Sequence, residues 1–219
     1  MQITEPTTMI TDYLVAALAL MLGWRLSQDS KKRDCLAERW WARAFFAIAA
    51  GALAGGTSHG FTHYLGESGW RLFWQVTVYA IGLASLFLMI AALKAAFTGG
   101  WLRTLALLAV AKFGFYAVWM WQEADFKYVI YDYGSTMMVV LVLQTWAWFK
   151  HRAASAPWIV AGILVSFAAS QIQIQGISFH RHFNHNDLFH VIQMLGIWLL
   201  FRGGLHLTDA ESSSPVSAA

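Results

Sequence analysis

Charge is what this chain has least of. Of its 219 residues only 12% are Asp, Glu, Lys or Arg, while 58% are hydrophobic. Soluble domains carry roughly 25% charged residues, so the composition argues against a fold that meets water on all sides. The formal net charge of +3 is too small to argue for nucleic acid as a partner, and the bases lie mostly between apolar stretches. A single cysteine, Cys35, excludes an intrachain disulfide and a cysteine-based metal cluster. No basic stretch precedes the first apolar run. Its flank "MQITEP" is acidic, so a signal peptide is not expected. No internal repeat is visible.

What is present is apolar and aromatic: twelve Trp, fifteen Phe and a mean hydropathy of +0.49. A bilayer core takes about 20 apolar residues per helix. Seven stretches qualify, at about Met9–Leu26, Trp40–Tyr64, Trp70–Phe97, Trp101–Trp121, Lys127–Phe149, Pro157–Gln175 and Asp187–Gly204. The expected fold class is all-α, a seven-transmembrane helix bundle over residues 1–207. The small, polar run "TDAESSSPVSAA" over 208–219 is expected to be a disordered tail. Arg25, Lys31, Lys32, Arg33, Arg39, Arg43, Lys94, Arg103, Lys150, Arg152 and Arg202 fall at one set of ends. Arg71, Lys127 and Arg181 fall at the other. The positive-inside rule then predicts an outside N-terminus and a cytoplasmic C-terminus, as in a multi-pass protein of a bacterial inner membrane. Trp40, Trp41, Trp101 and Trp148 belong to the inner interface, and Trp70, Trp119 and Trp121 to the outer one.

This topology gives every polar residue a depth. "TSHGFTHY" on the second segment, Arg71 and Gln75 on the third, and Tyr131, Asp132 and Tyr133 on the fifth all fall in the outer half. So do Gln171, Gln173 and Gln175 on the sixth, and "HFNHNDLFH" at the mouth of the seventh. The inner halves are nearly plain Leu, Ala, Val and Ile. Polar side chains in a span usually face the bundle interior, so the asymmetry predicts a polar cavity near the outer face. Headgroup-wetted interfacial residues are the plainer alternative for each one singly.

The histidines are the chemistry-bearing residues. His59 and His63 stand four apart, and on one helix they would share a face. The protease pattern H-E-x-x-H is absent, because no glutamate follows His59. Asn186 and Asp187 are capping types. A helix starting there would leave His185 in the preceding loop and put His190 in the first turns. Imidazoles suit Zn2+, and a catalytic zinc keeps a fourth position open for water. The expected ligands are His63, His185 and His190, with His59 in reserve. His180 and His182 read as loop residues at the water interface.

Seven spans, a His motif on the second and a His-rich start to the seventh resemble the CREST superfamily, which includes the alkaline ceramidases and the adiponectin and progestin receptors. Its pattern Ser-x-x-x-His corresponds to "HGFTH", with His63 at the His position, His59 where the serine belongs and Ser58 beside it. Its seventh-helix pattern His-x-x-x-His corresponds to "NDLFH", with His190 as second member and Asn186 in place of the first. The family's aspartate early in the third helix has no counterpart, and Gln75 is the nearest polar residue. The resemblance implies a zinc-dependent hydrolase of a lipid amide or ester.

Zinc would lower the pKa of a bound water to about 7, and a carboxylate beside it would act as general base. Asp132 and Asp187 are the candidates. Asp187 reads equally as a helix N-terminal acid, and Asp132 as a partner of a histidine. Gln75, Gln171, Gln175 and Tyr131 are candidate contacts to lipid. Lys112 lies mid-segment and is a functional candidate by depth alone. It could pair with Asp132 or Glu123. A lipid- or metal-binding receptor without turnover is the alternative, and a small transporter using Lys112 and Asp132 a third.

Overall fold

A computed structural model describes residues 3–180 and 183–211. Seven α-helices carry the described chain: α1 Pro6–Arg33, α2 Leu36–Gly60, α3 Thr62–Ala96, α4 Gly99–Gln122, α5 Phe126–His151, α6 Ala156–Gln175 and α7 His185–Gly204. Five of them, α1, α3, α4, α5 and α6, are long and apolar enough to cross a membrane. The chain is therefore all-α, with the helices of a multi-pass membrane protein. The two below that threshold are α2, rich in Ala and Gly, and α7.

Local chemistry explains most of the helix ends. Pro6 and Pro157 sit in the first positions of α1 and α6, where a missing N–H costs nothing. Lys31, Lys32 and Arg33 close α1 against its negative dipole end. Asp125 caps α5 by accepting the Lys127 N–H at 2.9 Å. Gly176, at φ 66°, ends α6 in the left-handed conformation that glycine adopts without strain. At α2 the cap comes from far away in sequence. Asp209 accepts from the N–H groups of Leu36 and Ala37 at 2.8 and 2.7 Å. The first residues of the expected disordered tail are therefore docked, because two orphan donors at a helix start need an acceptor. Residues 212–219 lie outside the described residues.

Two of the boundaries that differ from expectation bear on the histidines. The second helix ends at Gly60, and the third begins at Thr62 and kinks at Gly66, whose φ is 62°. The break falls inside what reads as one apolar run from Trp40 to Tyr64. The last helix starts earlier, with Asn184 as its cap. The Asn184 side chain accepts from the N–H groups of Asn186 and Asp187, and Asp187 accepts from the Asn184 N–H at 2.7 Å, completing a capping box. His185 is therefore the first helical residue and not part of the preceding loop.

Around the bundle α1 packs on α2 and α7, α2 on α3, α3 on α5, α5 on α6 and α6 on α7. Six helices thus close a ring, and α4 lies outside it against α3. In lipid, helices associate through close packing and not through release of water. The core shows this at the end where α2 starts and α7 finishes. Trp41, Phe45, Leu26, Leu88, Ile159 and Leu200 are fully buried there, and the Trp41 indole donates to the Leu200 carbonyl at 3.0 Å. Gly204 allows this approach. A Cβ at Gly204 would stand 2.6 Å from Trp41 and 2.9 Å from Leu26.

Candidate functional site

At the opposite end of the ring the helices do not close on one another. A cavity of about 510 Å3 opens between α1, α2, α3, α5, α6 and α7. Its inner part is lined by Val15, Ile48, Ile81, Met137 and Ile197. Its outer part holds Asp12, His59, Gln171, Gln173, Asn186 and His190, together with the aromatic rings of Trp74 and Phe126. The predicted gathering of polar groups at one end is present, and α1 joins it as a sixth contributor.

Two carboxylate–imidazole pairs define the polar end. Asp12 Oδ1 stands 3.2 Å from His190 Nε2. Glu5 Oε2 stands 3.2 Å from His59 Nδ1. His190 is held on both nitrogens, since Thr11 Oγ1 lies 2.9 Å from Nδ1. The Thr11 hydroxyl donates its one proton to the Thr8 carbonyl at 3.0 Å, so its oxygen accepts from Nδ1–H. Nε2 then faces Asp12. His59 is held on one side only. Among the described residues its Nε2 has no hydrogen-bond partner, and the ring lines the cavity edge-on to Trp74, with centroids 6.1 Å apart. The His59 imidazole holds the Glu5 carboxyl below its ordinary range.

Further in, Gln193 donates to Ser166 Oγ at 3.1 Å. Gln173 donates to Asn186 Oδ1 at 2.7 Å, while its own Oε1 is buried with no partner among the described residues. Thr8 donates to Asp187 Oδ1 at 2.9 Å and so ties the start of α7 to the start of α1. Asp187 is buried in that contact and in the capping box. It sits at a helix terminus and does not line the cavity.

The expected zinc ligands do not converge. His63 lies beyond the end of α2, in the first turn of α3, and is exposed. It shares no helix face with His59, because the break at Gly60 and Phe61 intervenes. His185 is half-buried and lies outside the cavity lining. Only His190 of the expected three belongs to the cavity, joined by the reserve residue His59. Among the described residues no three His, Cys, Asp or Glu side chains form a group able to hold a metal ion. His180 is exposed and bridges to Phe183, while Arg181 and His182 lie outside the described residues.

The other expected residues separate in the same way. Gln171 and Tyr131 line the cavity, and Tyr131 is also 64% exposed. Gln75 and Gln175 do not line it. Ser58 is buried and donates to the Gly55 carbonyl at 2.8 Å, a bond within its own helix. Asp132 and Lys112 face each other in a separate cluster. Lys112 Nζ contacts Asp132 Oδ1 at 2.5 Å, the Asp132 carbonyl at 3.0 Å, Thr136 Oγ1 at 3.2 Å and Ser85 Oγ at 3.4 Å. That satisfies the lysine and clasps α4 to α3 and α5. Neither residue lines the cavity.

Sequence reasoning missed Asp12, Glu5 and Thr11 on or beside α1, and Gln193 on α7. For Asp12 a signal existed. An acid inside an apolar run of spanning length faces the bundle interior as a rule. For Glu5, just before the helix, there was none.

No curated protein and no solved structure matches the chain. One family model matches residues 7–209, nearly the whole of it, and the chain belongs to that family of unknown function, DUF6962.

Proposed function

We propose that this membrane protein binds one lipid-like amphiphile in the cavity, polar head against Asp12, His59 and His190 and hydrocarbon chain along Val15, Ile48 and Met137. The observation that carries this reading is the cavity itself, about 510 Å3 and graded from polar to apolar. Ligand pockets of this size, mostly apolar with a few convergent polar groups, take small organic molecules. In this proposal all seven helices cross the bilayer, with the N-terminus outside and the polar end of the cavity in the outer leaflet. The Lys and Arg bias supports that orientation, and the membrane is a bacterial inner membrane. Kinship with the CREST superfamily is part of the proposal, supported by the helix number and by histidines on the second and seventh helices. The zinc ligands that kinship names do not come together among the described residues.

Gly134 supplies the test. It lines the cavity, and a Cβ there would meet nothing within 4 Å. Gly134→Leu should fill the space and abolish binding. Its melting temperature should not fall, since leucine is favoured over glycine inside a helix by roughly 0.8 kcal/mol. Lipid retained by the purified variant at wild-type stoichiometry would end the reading.

The Glu5–His59 pair favours a second reading, hydrolysis of a lipid amide or ester. A carboxylate on one imidazole nitrogen orients the ring and leaves the other as a base. Nε2 would take a proton from water as the water oxygen bonds to the carbonyl carbon. The proton would then pass to the amine or alcohol as its bond to that carbon breaks. Release of fatty acid from a fluorogenic long-chain amide tests this, and an equal rate in His59→Asn would sink it.

A further inference from the structure

Among the described residues the polar end of the cavity contains acid but no permanent base. Among the described residues its lining includes neither lysine nor arginine, and Lys112 is committed to Asp132 elsewhere. Each imidazole at that end has its own carboxylate, His190 with Asp12 and His59 with Glu5. Even with both rings protonated, those four groups carry no net positive charge. A phosphate or carboxylate head would there be stripped of water with no counter-charge, which is strongly unfavourable.

The groups left over accept hydrogen bonds. Gln173 Oε1 is buried without a donor among the described residues. Asp12 meets His190 through Oδ1, and its Oδ2 lies against bare backbone, 3.5 Å from where a Cβ on Gly55 would stand. Beside His59, Trp74 and Phe126 pack with centroids 6.0 Å apart, and both line the cavity. Aromatic faces attract a cation, more so where water is excluded. Acceptors, a carboxylate and aromatic faces around one opening suit an ammonium group.

We infer that the cavity selects a lipid with a protonated amine head, the nitrogen seated between Asp12 and the Trp74–Phe126 pair. This rests on the binding reading above and adds the sign of the ligand's charge. A neutral alcohol of the same chain length would bind without the ionic and cation–π contributions. A fatty acid anion would be rejected.

The test uses full-length protein in a neutral detergent at neutral pH. Chain-brominated hexadecylamine, hexadecanol and hexadecanoate quench tryptophan, and the saturable quenching that Gly134→Leu removes is counted as cavity binding. The amine should bind about tenfold more tightly than the alcohol, and the carboxylate should not saturate. Asp12→Asn should bring the ratio of amine to alcohol affinity close to one. Phe126→Leu, which leaves every carboxylate in place, should lower the same ratio severalfold. A carboxylate that binds as tightly as the amine overturns the inference. So does an amine preference that persists in both variants. Equal binding of all three probes removes the charge selection and leaves the cavity reading standing. No saturable binding by any of them removes both.

Discussion

Trp41 and His190 sit toward opposite ends of one helical ring, and their surroundings differ in kind. Trp41 is fully buried, donates to a main-chain carbonyl, and has Gly204 and Leu26 pressed against its ring. His190 keeps 13% of its side chain exposed beside a cavity and is held by Asp12 and Thr11. The first end is shaped by contact and the second by hydrogen bonds around a space. The packed end sets the spacing of α1, α2 and α7. The polar network then fixes where their far ends stop, without filling the gap between them. An open, polar-headed cavity can survive in a bundle because its stability resides elsewhere.

The largest effect that would break this comparison is on stability. Trp41→Ala should cost about 3–5 kcal/mol, the range for removing a buried aromatic from a close-packed site. Ile130→Ala, at the cavity wall, removes contacts from a surface that is already partly empty and should cost under about 1 kcal/mol. Unfolding of the two variants in the same detergent compares them directly. Equal costs would mean that the cavity is closed and packed in the folded protein, contrary to the division drawn here.

A second effect separates polar groups that are fully paired from those left facing space. Asp132 is 9% exposed and holds Lys112, which is 32% exposed. Asp132→Ala leaves an ammonium with only hydroxyl and carbonyl neighbours. Losing one partner of a fully buried pair costs about 3–5 kcal/mol, and the lysine's exposure reduces this to about 2 kcal/mol. Adding Lys112→Met should restore much of the loss, because the orphaned charge is then gone. A thermal-denaturation double-mutant cycle reads the coupling. Additive losses would show that the clasp is not a coupled pair.

Much of the fold was legible because each apolar run is long and bounded by polar residues. The polar joint between the expected spans ending at Phe149 and starting at Pro157 is a turn between α5 and α6. The break at Gly60 was not legible. "HGFTHY" stays apolar enough to read on, and the packing at this point is tertiary: Met9 of α1 occupies the place a side chain at residue 60 would need. That one break separates His59 from His63 and dissolves the expected ligand pair. The side of the bundle that carries polar groups was legible from hydropathy and charge bias. The partners within it were not. Asp12 meets His190 across 178 positions of sequence, a pairing set by how α1 docks on α7. Spacing rules reach only within a helix. The distant cap at Asp209 escaped for the same reason.

The smallest effect sharpens the comparison through pH. Glu5 precedes α1, and the His59 imidazole, at 3.2 Å, holds its carboxyl below the ordinary 4.5. A carboxyl whose folded value is depressed stabilises the fold above its unfolded value, and that contribution is lost as pH falls through the folded value. The melting-temperature difference between the native chain and Glu5→Gln should therefore be present at neutral pH and hold down to about 4.5. Below that it should shrink toward zero as the carboxylate takes up its proton. The side chain is 42% exposed, so solvent screens the pair and the difference should be small. A difference that stays constant down to strongly acid pH would mean that the imidazole does not hold Glu5. His59 would then lose the carboxylate that orients it, and the hydrolytic reading would lose its base. The cavity and its binding of an amphiphile would be untouched, since neither depends on that bond.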